Sequence, residues 1–294
     1  VRTRARIIYN KTAGREVFEG QLPRILERLE GHGLETSCHS TRCPGDAANA
    51  AEEAVDNGFE VVIAAGGDGT VHEVAGSLSR REHRPRLGIL PCGTSNDLAR
   101  ALGLPRNLLE ACDVIGKGCT SRMDVGKVGD QYFVNVAAAG VMTEVTYEAP
   151  SRLKTLLGQA AYYAKGLEKL GSLFRPFGIR VETPDRVVEE EILLLLIANS
   201  PSIGGFDQLA PHADISDGRL DVLVVRKAGL TDLVQLVRAV LRGEHLRDDR
   251  ILYFQADQMV ITPKETMKLN LDGEWGGELS GRVEILAGHL EVFC

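Results

Sequence analysis

The chain has 294 residues, a hydrophobic fraction of 44%, a charged fraction of 26% and a formal charge of −7. That length exceeds the roughly 100–200 residues of one domain, so two are expected, and the acidic balance excludes a nucleic-acid binder that works through a global basic field. Six scattered cysteines form no Cys-x-x-Cys pair and read as reduced structural thiols, and no apolar run nears the roughly 20 residues that span a bilayer.

Residues 1–9 are basic and then strand-like, without the apolar core and cleavage site of a secretory signal, so a cytoplasmic protein is expected. Residues 4–10 form a short buried strand that runs into the loop Asn10, Lys11, Thr12, Ala13 and Gly14. A helical pattern follows, in which Leu22, Ile25, Leu26 and Leu29 recur on one face before Gly31 and Gly33 stop it. Residues 35–40 read as a second strand, and the alanine-rich stretch 46–57 as a helix. The buried strand 61–65 then ends in Gly66-Gly67-Asp68-Gly69-Thr70, with a helix from Val71 to about Leu78. A further strand, 87–90, ends in Pro91-Cys92-Gly93-Thr94-Ser95-Asn96-Asp97. Strand, glycine loop and helix in alternation indicate a doubly wound α/β domain, which binds ligands in loops at the carboxyl ends of its strands.

Beyond Asp124 the texture becomes mostly β, with strand-like runs at 125–128, 132–136, 179–181, 191–198, 220–225, 260–262 and 268–271. Two helical patterns interrupt it, at 151–174 and 230–241. The expected division is an α/β nucleotide-binding domain over residues 1–125, to which a final strand at 283–294 returns, and a sandwich-like β domain over 126–282.

Glycines in the 66–70 run let backbone amides approach phosphate oxygens, and the following helix adds its positive dipole end. Asp68 would repel a phosphate there unless a magnesium ion lay between them; the same run also suits a plain glycine turn with Asp68 capping the helix. The second loop offers Thr94 as a polar contact and Asp97 as a carboxylate beside nucleotide or acceptor, or as a simple helix cap. Glu274, in a glycine-flanked turn after a strand, is either a carboxylate presented to a cleft or an exposed turn residue. The turn Asp214-Ile-Ser-Asp217-Gly218-Arg219 gathers oxygen donors around a sharp bend, as a cation site or as an ordinary Asp-Gly turn does. Residues 151–174 carry Arg152, Lys154, Lys165 and Lys169 beside an apolar stripe, which fits contact with an anionic membrane surface, burial against the β domain, or both.

Gly66-Gly67-Asp68-Gly69-Thr70, Gly93-Thr94-Ser95-Asn96-Asp97 and Leu271-Asp272-Gly273-Glu274, in this order and separation, resemble the diacylglycerol-kinase catalytic-domain lipid kinases, above all the soluble bacterial diacylglycerol kinases. Arg100-Ala-Leu, Ala161-Tyr-Tyr163 and Arg242-Gly-Glu-His245 resemble the same subgroup, so the likeness covers nearly the whole chain. It implies a two-domain fold like that of NAD kinases and lipid kinases, with ATP in the cleft, magnesium as cofactor and diacylglycerol as acceptor. A sphingoid or other lipid, NAD, or a nucleotide-binding regulator without transfer are the alternatives. Nucleotide contacts would come from Asn10, Lys11, Thr12, Ala13, Gly14, Thr41, Gly66, Gly67, Asp68, Gly69, Thr70, Val71, His72, Glu73 and Thr94. Glu274 would be the catalytic base, with Asp68 and Asp97 in the reacting centre and Asp124 joining them in an acidic network for magnesium. Asp217, the Arg219 carbonyl and Asp214 would hold a structural magnesium ion. The resemblance further implies a homodimer and peripheral association with the inner membrane face. Two positions depart from the family pattern: Lys11 stands where proline is usual, and His72 where asparagine is usual.

Overall fold

The computed structural model describes residues 2–11, 17–140, 175–206 and 208–294. The helix expected over 151–174, with Arg152, Lys154, Lys165 and Lys169, lies outside the described residues, as do Thr12, Ala13 and Gly14.

In the N-terminal half, β1 (Thr3–Asn10), β2 (Leu34–Thr41), β3 (Val61–Gly66) and β4 (Arg86–Pro91) lie parallel in the order β2-β1-β3-β4. Helices α1 (Val17–Gly31), α2 (Asp46–Asp56), α3 (Asp68–Ser79), α4 (Asp97–Ala101) and α5 (Leu108–Lys117) connect and cover them. β3 is buried along its whole length because helices lie on both faces, which its unbroken apolar run anticipates. Its side chains divide by parity: Val62 and Ala64 join the core under α2 and α3, while Ile63 and Ala65 join that under α1 and α5. Ala47, Ala50, Ala51 and Ala54 form the buried face of α2, and their small size lets that helix lie close to α3 and the sheet.

The remaining strands are β5 (Thr120–Val128), β6 (Gln131–Phe133), β7 (Val136–Gly140), β8 (Phe177–Glu182), β9 (Val187–Ala198), β10 (Leu220–Arg226), β11 (Ile251–Ala256), β12 (Gln258–Pro263), β13 (Lys268–Leu271), β14 (Glu274–Glu278) and β15 (Gly281–Phe293). They continue the sheet in the order β14-β13-β7-β9-β8-β12-β15, pairing antiparallel, with β10 and β11 added beside β9. Leu195 and Ile197 of β9 pack into one core with Phe133, Phe177 and Phe254. Leu196 and Ala198 face the other way, into a core with Leu236 of α6 (Leu230–Leu241). The chain thus forms an α/β half and a β-sandwich-like half within one mixed sheet. β15 joins them: it pairs antiparallel with β12 and β5, and its Val292 lies parallel to Leu87 of β4.

Four local readings differ from the sequence. The run 132–136, expected as one strand, divides between β6 and β7, with Val134 and Asn135 in the break. α3 begins at Asp68, so Gly69 and Thr70 form its first turn rather than a loop, and the Val71 amide already donates to the Gly67 carbonyl at 3.1 Å. β14 is a strand although Glu-Trp-Gly-Gly-Glu has the composition of a turn; its pairing with β13 overrides weak local propensity. α5 and β11 lie where no element was expected.

Gly126 of β5 opposes Phe133 of β6, and the Phe133 ring lies on the space a side chain at 126 would fill. Gly126→Ala should therefore overpack this corner and destabilise the fold by about 1–3 kcal/mol, seen as a lower urea midpoint.

Candidate active site

The carboxyl ends of β1 to β4 form one rim. Asn10 and Thr41 are register neighbours there, as are Gly66 and Pro91. The Cys92 amide donates to the Gly66 carbonyl at 2.9 Å, which lays the two glycine segments against each other. A Cβ at Gly93 would sit 2.5 Å from the Gly67 Cα, so this approach needs glycine at 93, while a Cβ at Gly67 would be tight at 3.3 Å from the Gly93 Cα. Asn96, left-handed at φ 51°, grips Gly93 twice: its Oδ1 accepts from the Gly93 amide and its Nδ2 donates to the Gly93 carbonyl, both at 2.8 Å. Thr94 is exposed on this rim.

Asp68 connects the two segments. Its Oδ2 accepts from the Asn96 amide at 3.0 Å and its Oδ1 from the Asp97 amide at 2.6 Å, so a side chain of α3 caps the start of α4. Burial, and next the charge of Asp97, raise the Asp68 carboxyl above its usual range against these amide bonds. Asp97 in turn reaches the second half: Ser202 Oγ and the Gly205 amide donate to its Oδ1 at 2.9 and 3.0 Å, and the Gly204 amide to its Oδ2 at 2.7 Å. Glu73 turns to α2 instead, accepting from the amides of Gly45, Ala47 and Ala48 at 2.9, 3.1 and 3.4 Å.

The β13–β14 turn comes to the same rim. Asp272 is left-handed at φ 54°, and its fully buried carboxylate accepts from the amides of Val134, Asn135 and Val136, each at 2.8 Å. Its fourth donor is His72 Nδ1 on α3, also at 2.8 Å. Two residues on, the Glu274 carboxylate stands over the first turn of α3: a Cβ at Gly69 would lie 2.9 Å from Glu274 Oε1. Burial alone would lower the His72 pKa, but the hydrogen bond to Asp272 and the charges of Asp272, Glu274 and Glu73 carry it above the ordinary value. Glycine-rich backbone at a helix N-terminus is thereby set beside a carboxylate from the other half, an arrangement suited to holding a phosphate next to a proton acceptor.

Asp124 makes a separate centre. Its buried carboxylate accepts from the Gly218 amide through Oδ2 and the Gly288 amide through Oδ1, both at 2.6 Å, and shares no hydrogen-bond partner with Asp68 or Asp97 among the described residues. It thus anchors the acidic turn in which Asp214 Oδ1 accepts from the Ser216 amide and hydroxyl, and Asp217 Oδ1 from the Arg219 amide. The Asp217 carboxyl is raised by burial and then, against its bond from Arg219, by the charges of Asp214 and Asp124. Among the described residues no group of three or more His, Cys, Asp or Glu side chains surrounds a common metal position. The crowding of carboxylates at Asp217 is nonetheless an excess of negative charge that a hard, oxygen-seeking cation would relieve, and main-chain carbonyls of the turn are further oxygen donors.

Three features of the site were not read from the sequence: Asp272 as a hydrogen-bond acceptor, its partnership with His72, and the Ser202–Gly205 loop that holds Asp97. The one sequence signal for the first pair is the departure at His72, a titratable side chain one turn after Asp68.

Residues 4–128 match the family model described as diacylglycerol kinase catalytic domain, and residues 135–294 match that described as YegS C-terminal NAD kinase beta sandwich-like domain. The chain is 47% identical over 290 residues to a diacylglycerol kinase of Bacillus subtilis strain 168, covering 98% of this chain and 95% of that one. It is 43% identical over 293 residues to a diacylglycerol kinase of Staphylococcus saprophyticus, covering 100% and 96%. A solved structure of a diacylglycerol kinase from Bacillus anthracis strain Sterne matches with a TM-score of 0.79 at 25% identity, over 99% of this chain and 96% of that one.

His72→Asn keeps a donor for Asp272 and removes the titrating charge. Since the folded imidazole pKa lies above the ordinary 6.5, the charge adds stability that is fully present below about pH 6.5 and is lost as pH rises through the folded value. The stability gap between wild type and His72→Asn should be widest in mild acid and narrow toward alkaline pH, measured by urea unfolding across that range.

Proposed function

The chain belongs to the diacylglycerol kinase family, and from that premise we propose that it transfers the γ-phosphoryl group of ATP to the free hydroxyl of diacylglycerol, giving phosphatidic acid. The observation that carries this reading is the placement of Glu274 over Gly69, which puts a carboxylate of the β half against the phosphate-binding turn of the α/β half.

The backbone of Gly66 to Thr70 and the positive end of α3 hold the triphosphate, while Asn10, Lys11, Thr41 and Thr94 line the nucleotide side of the rim. Glu274 accepts the proton of the acceptor hydroxyl as its oxygen attacks the γ-phosphorus; the bond to the bridging oxygen breaks and ADP leaves with that electron pair. Little covalent work is required of the protein in such a transfer, so positioning dominates. Asp68 and Asp97 act there as positioning residues: their carboxylate oxygens accept the hydrogen bonds that align the two glycine segments with each other and with the 202–205 loop. At the phosphates, magnesium bound with ATP would supply charge neutralisation. A structural ion would be held by Asp217, Asp214 and the Arg219 carbonyl, with Asp124 fixing their turn.

No helix among the described residues is long and apolar enough to cross a membrane. Approach to an anionic membrane face through Arg152, Lys154, Lys165 and Lys169 is supported by the charge pattern of residues 151–174, and association as a homodimer by the family resemblance.

Purified protein with magnesium and labelled ATP should convert diacylglycerol in mixed micelles to labelled phosphatidic acid. Transfer only to a sphingoid base or to NAD would overturn the acceptor, and ATP binding without transfer to any acceptor would overturn the reaction. Glu274→Gln should lower kcat by about 10²- to 10⁴-fold with ATP affinity retained; near-normal turnover of that variant would remove Glu274 as the base.

A further inference from the structure

Trp275 is the chain's single tryptophan, and it stands 54% exposed immediately after Glu274. An isolated exposed aromatic is unremarkable by itself; its address is what matters. β14 ends the sheet, hydrogen bonded to β13, and the segment Gly273-Glu274-Trp275-Gly276-Gly277 has glycine on either side of the pair. Gly273 and Gly277 are both left-handed, at φ 100° and 82°, which bends the backbone around these two residues. Two side chains only project from this stretch: the carboxylate that meets α3, and an indole that meets solvent.

Given the reading above, on which this inference rests, the acceptor hydroxyl lies at the boundary between hydrocarbon and water. A general base works within about 2.6–3.2 Å of the oxygen it deprotonates, and neighbouring Cα atoms are 3.80 Å apart. Glu274 cannot reach such a hydroxyl without bringing the backbone of the next residue close to the same boundary, with the indole on the other face of the edge strand β14. Tryptophan is the side chain best matched to that boundary, with an apolar ring for the acyl side and an N–H for the headgroup side. Lys268 of β13 faces Glu278 of β14, so those two charges offset one another further along this pairing.

We propose that Trp275 is an interfacial anchor: its indole enters the headgroup layer of the lipid surface that carries the substrate and sets the depth at which Glu274 meets the hydroxyl. The partner is the lipid surface itself, and the contact distinguishes membrane-held acceptors from soluble ones.

The full chain reports on this directly, because its tryptophan emission arises from position 275 alone. Titration with phosphatidylcholine vesicles containing a minor fraction of diacylglycerol should shift the emission to the blue, and lipids brominated high on the acyl chain should quench it. In Trp275→Ala the ratio of the rate on long-chain vesicle diacylglycerol to that on a water-soluble short-chain diacylglycerol should fall about tenfold, with Trp275→Phe restoring most of it. Unchanged emission while the wild type still phosphorylates vesicle diacylglycerol overturns the anchor and leaves the kinase reading intact. A blue shift with vesicles in a protein that phosphorylates neither form of diacylglycerol supports the surface contact and overturns the kinase reading. Emission that is already blue without lipid, and that reddens on dilution as light scattering shows a dimer dissociating, overturns the anchor and makes this edge an interface between copies.

Discussion

The buried carboxylate of Asp272 is the constraint on which the geometry of the site depends. A carboxylate taken fully out of water is costly unless hydrogen bonds replace its hydration. Asp272 has three main-chain amides from 134–136 and the His72 imidazole, four donors at 2.8 Å. The same bonds hold its backbone in the left-handed region, which L-residues other than asparagine and aspartate rarely occupy, and that turn fixes where Glu274 points. Removing the carboxylate would leave three amides unpaired, so the direction of Glu274 depends on a side chain two residues away.

These bonds belong to a closed circuit. α3 carries both Asp68 and His72. From His72 the path runs to Asp272 and on to the Asn135 amide; the Ser200 hydroxyl then lies 3.0 Å from Asn135 Oδ1 and 3.1 Å from the Ser202 carbonyl. The Ser202 hydroxyl donates to Asp97, whose amide donates to Asp68 and so returns to α3. Asn135, Ser200, Ser202 and Asp97 are all buried, so the low local dielectric that strengthens each bond also makes each broken one expensive. Asp68 and Asp97, expected from the sequence beside a metal, are links in this circuit. The two halves are thereby held together around the first turn of α3, and the side chains on both sides of the rim are fixed relative to one another.

The parallel half was legible because its signals are local. Unbroken apolar runs such as 61–65 announce strands covered on both faces, and glycine runs after them announce the rim. The sequence places the start of α3 too late since Gly69 and Thr70 are poor helix formers; the turn is helical with Thr70 packed on Gly66 and Gly69 under Glu274. α5 is amphipathic and closed by Asn107 and Gly118, yet it followed no glycine loop and went unread. The roles of Asp272 and Asp97 could not be read from spacing at all. Their partners at 134–136 and 202–205 are more than 100 residues distant in the chain, and an aspartate in a turn or at a helix start has the same local appearance whether its carboxylate is solvated or buried.

The strand order explains how a carboxylate from so far along the chain reaches α3. β14 and β2 occupy opposite ends of the hydrogen-bonded order, yet the turn before β14 lies on α3, which follows β3. The antiparallel half must therefore curl back over the rim of the parallel half, as a strongly twisted sheet of many strands does. A doubly wound domain by itself can grip an anion at its carboxyl rim but has no element to place on the far side of that anion. The returning β13–β14 turn fills that position, and the register of β13 on β7 places Asp272 over the amides of 134–136 that lead into β7. The pairing that closes the sandwich and the bonds that aim Glu274 are thus one set of contacts, so the β half cannot lose its register at β7 and β13 without also moving Glu274 off α3.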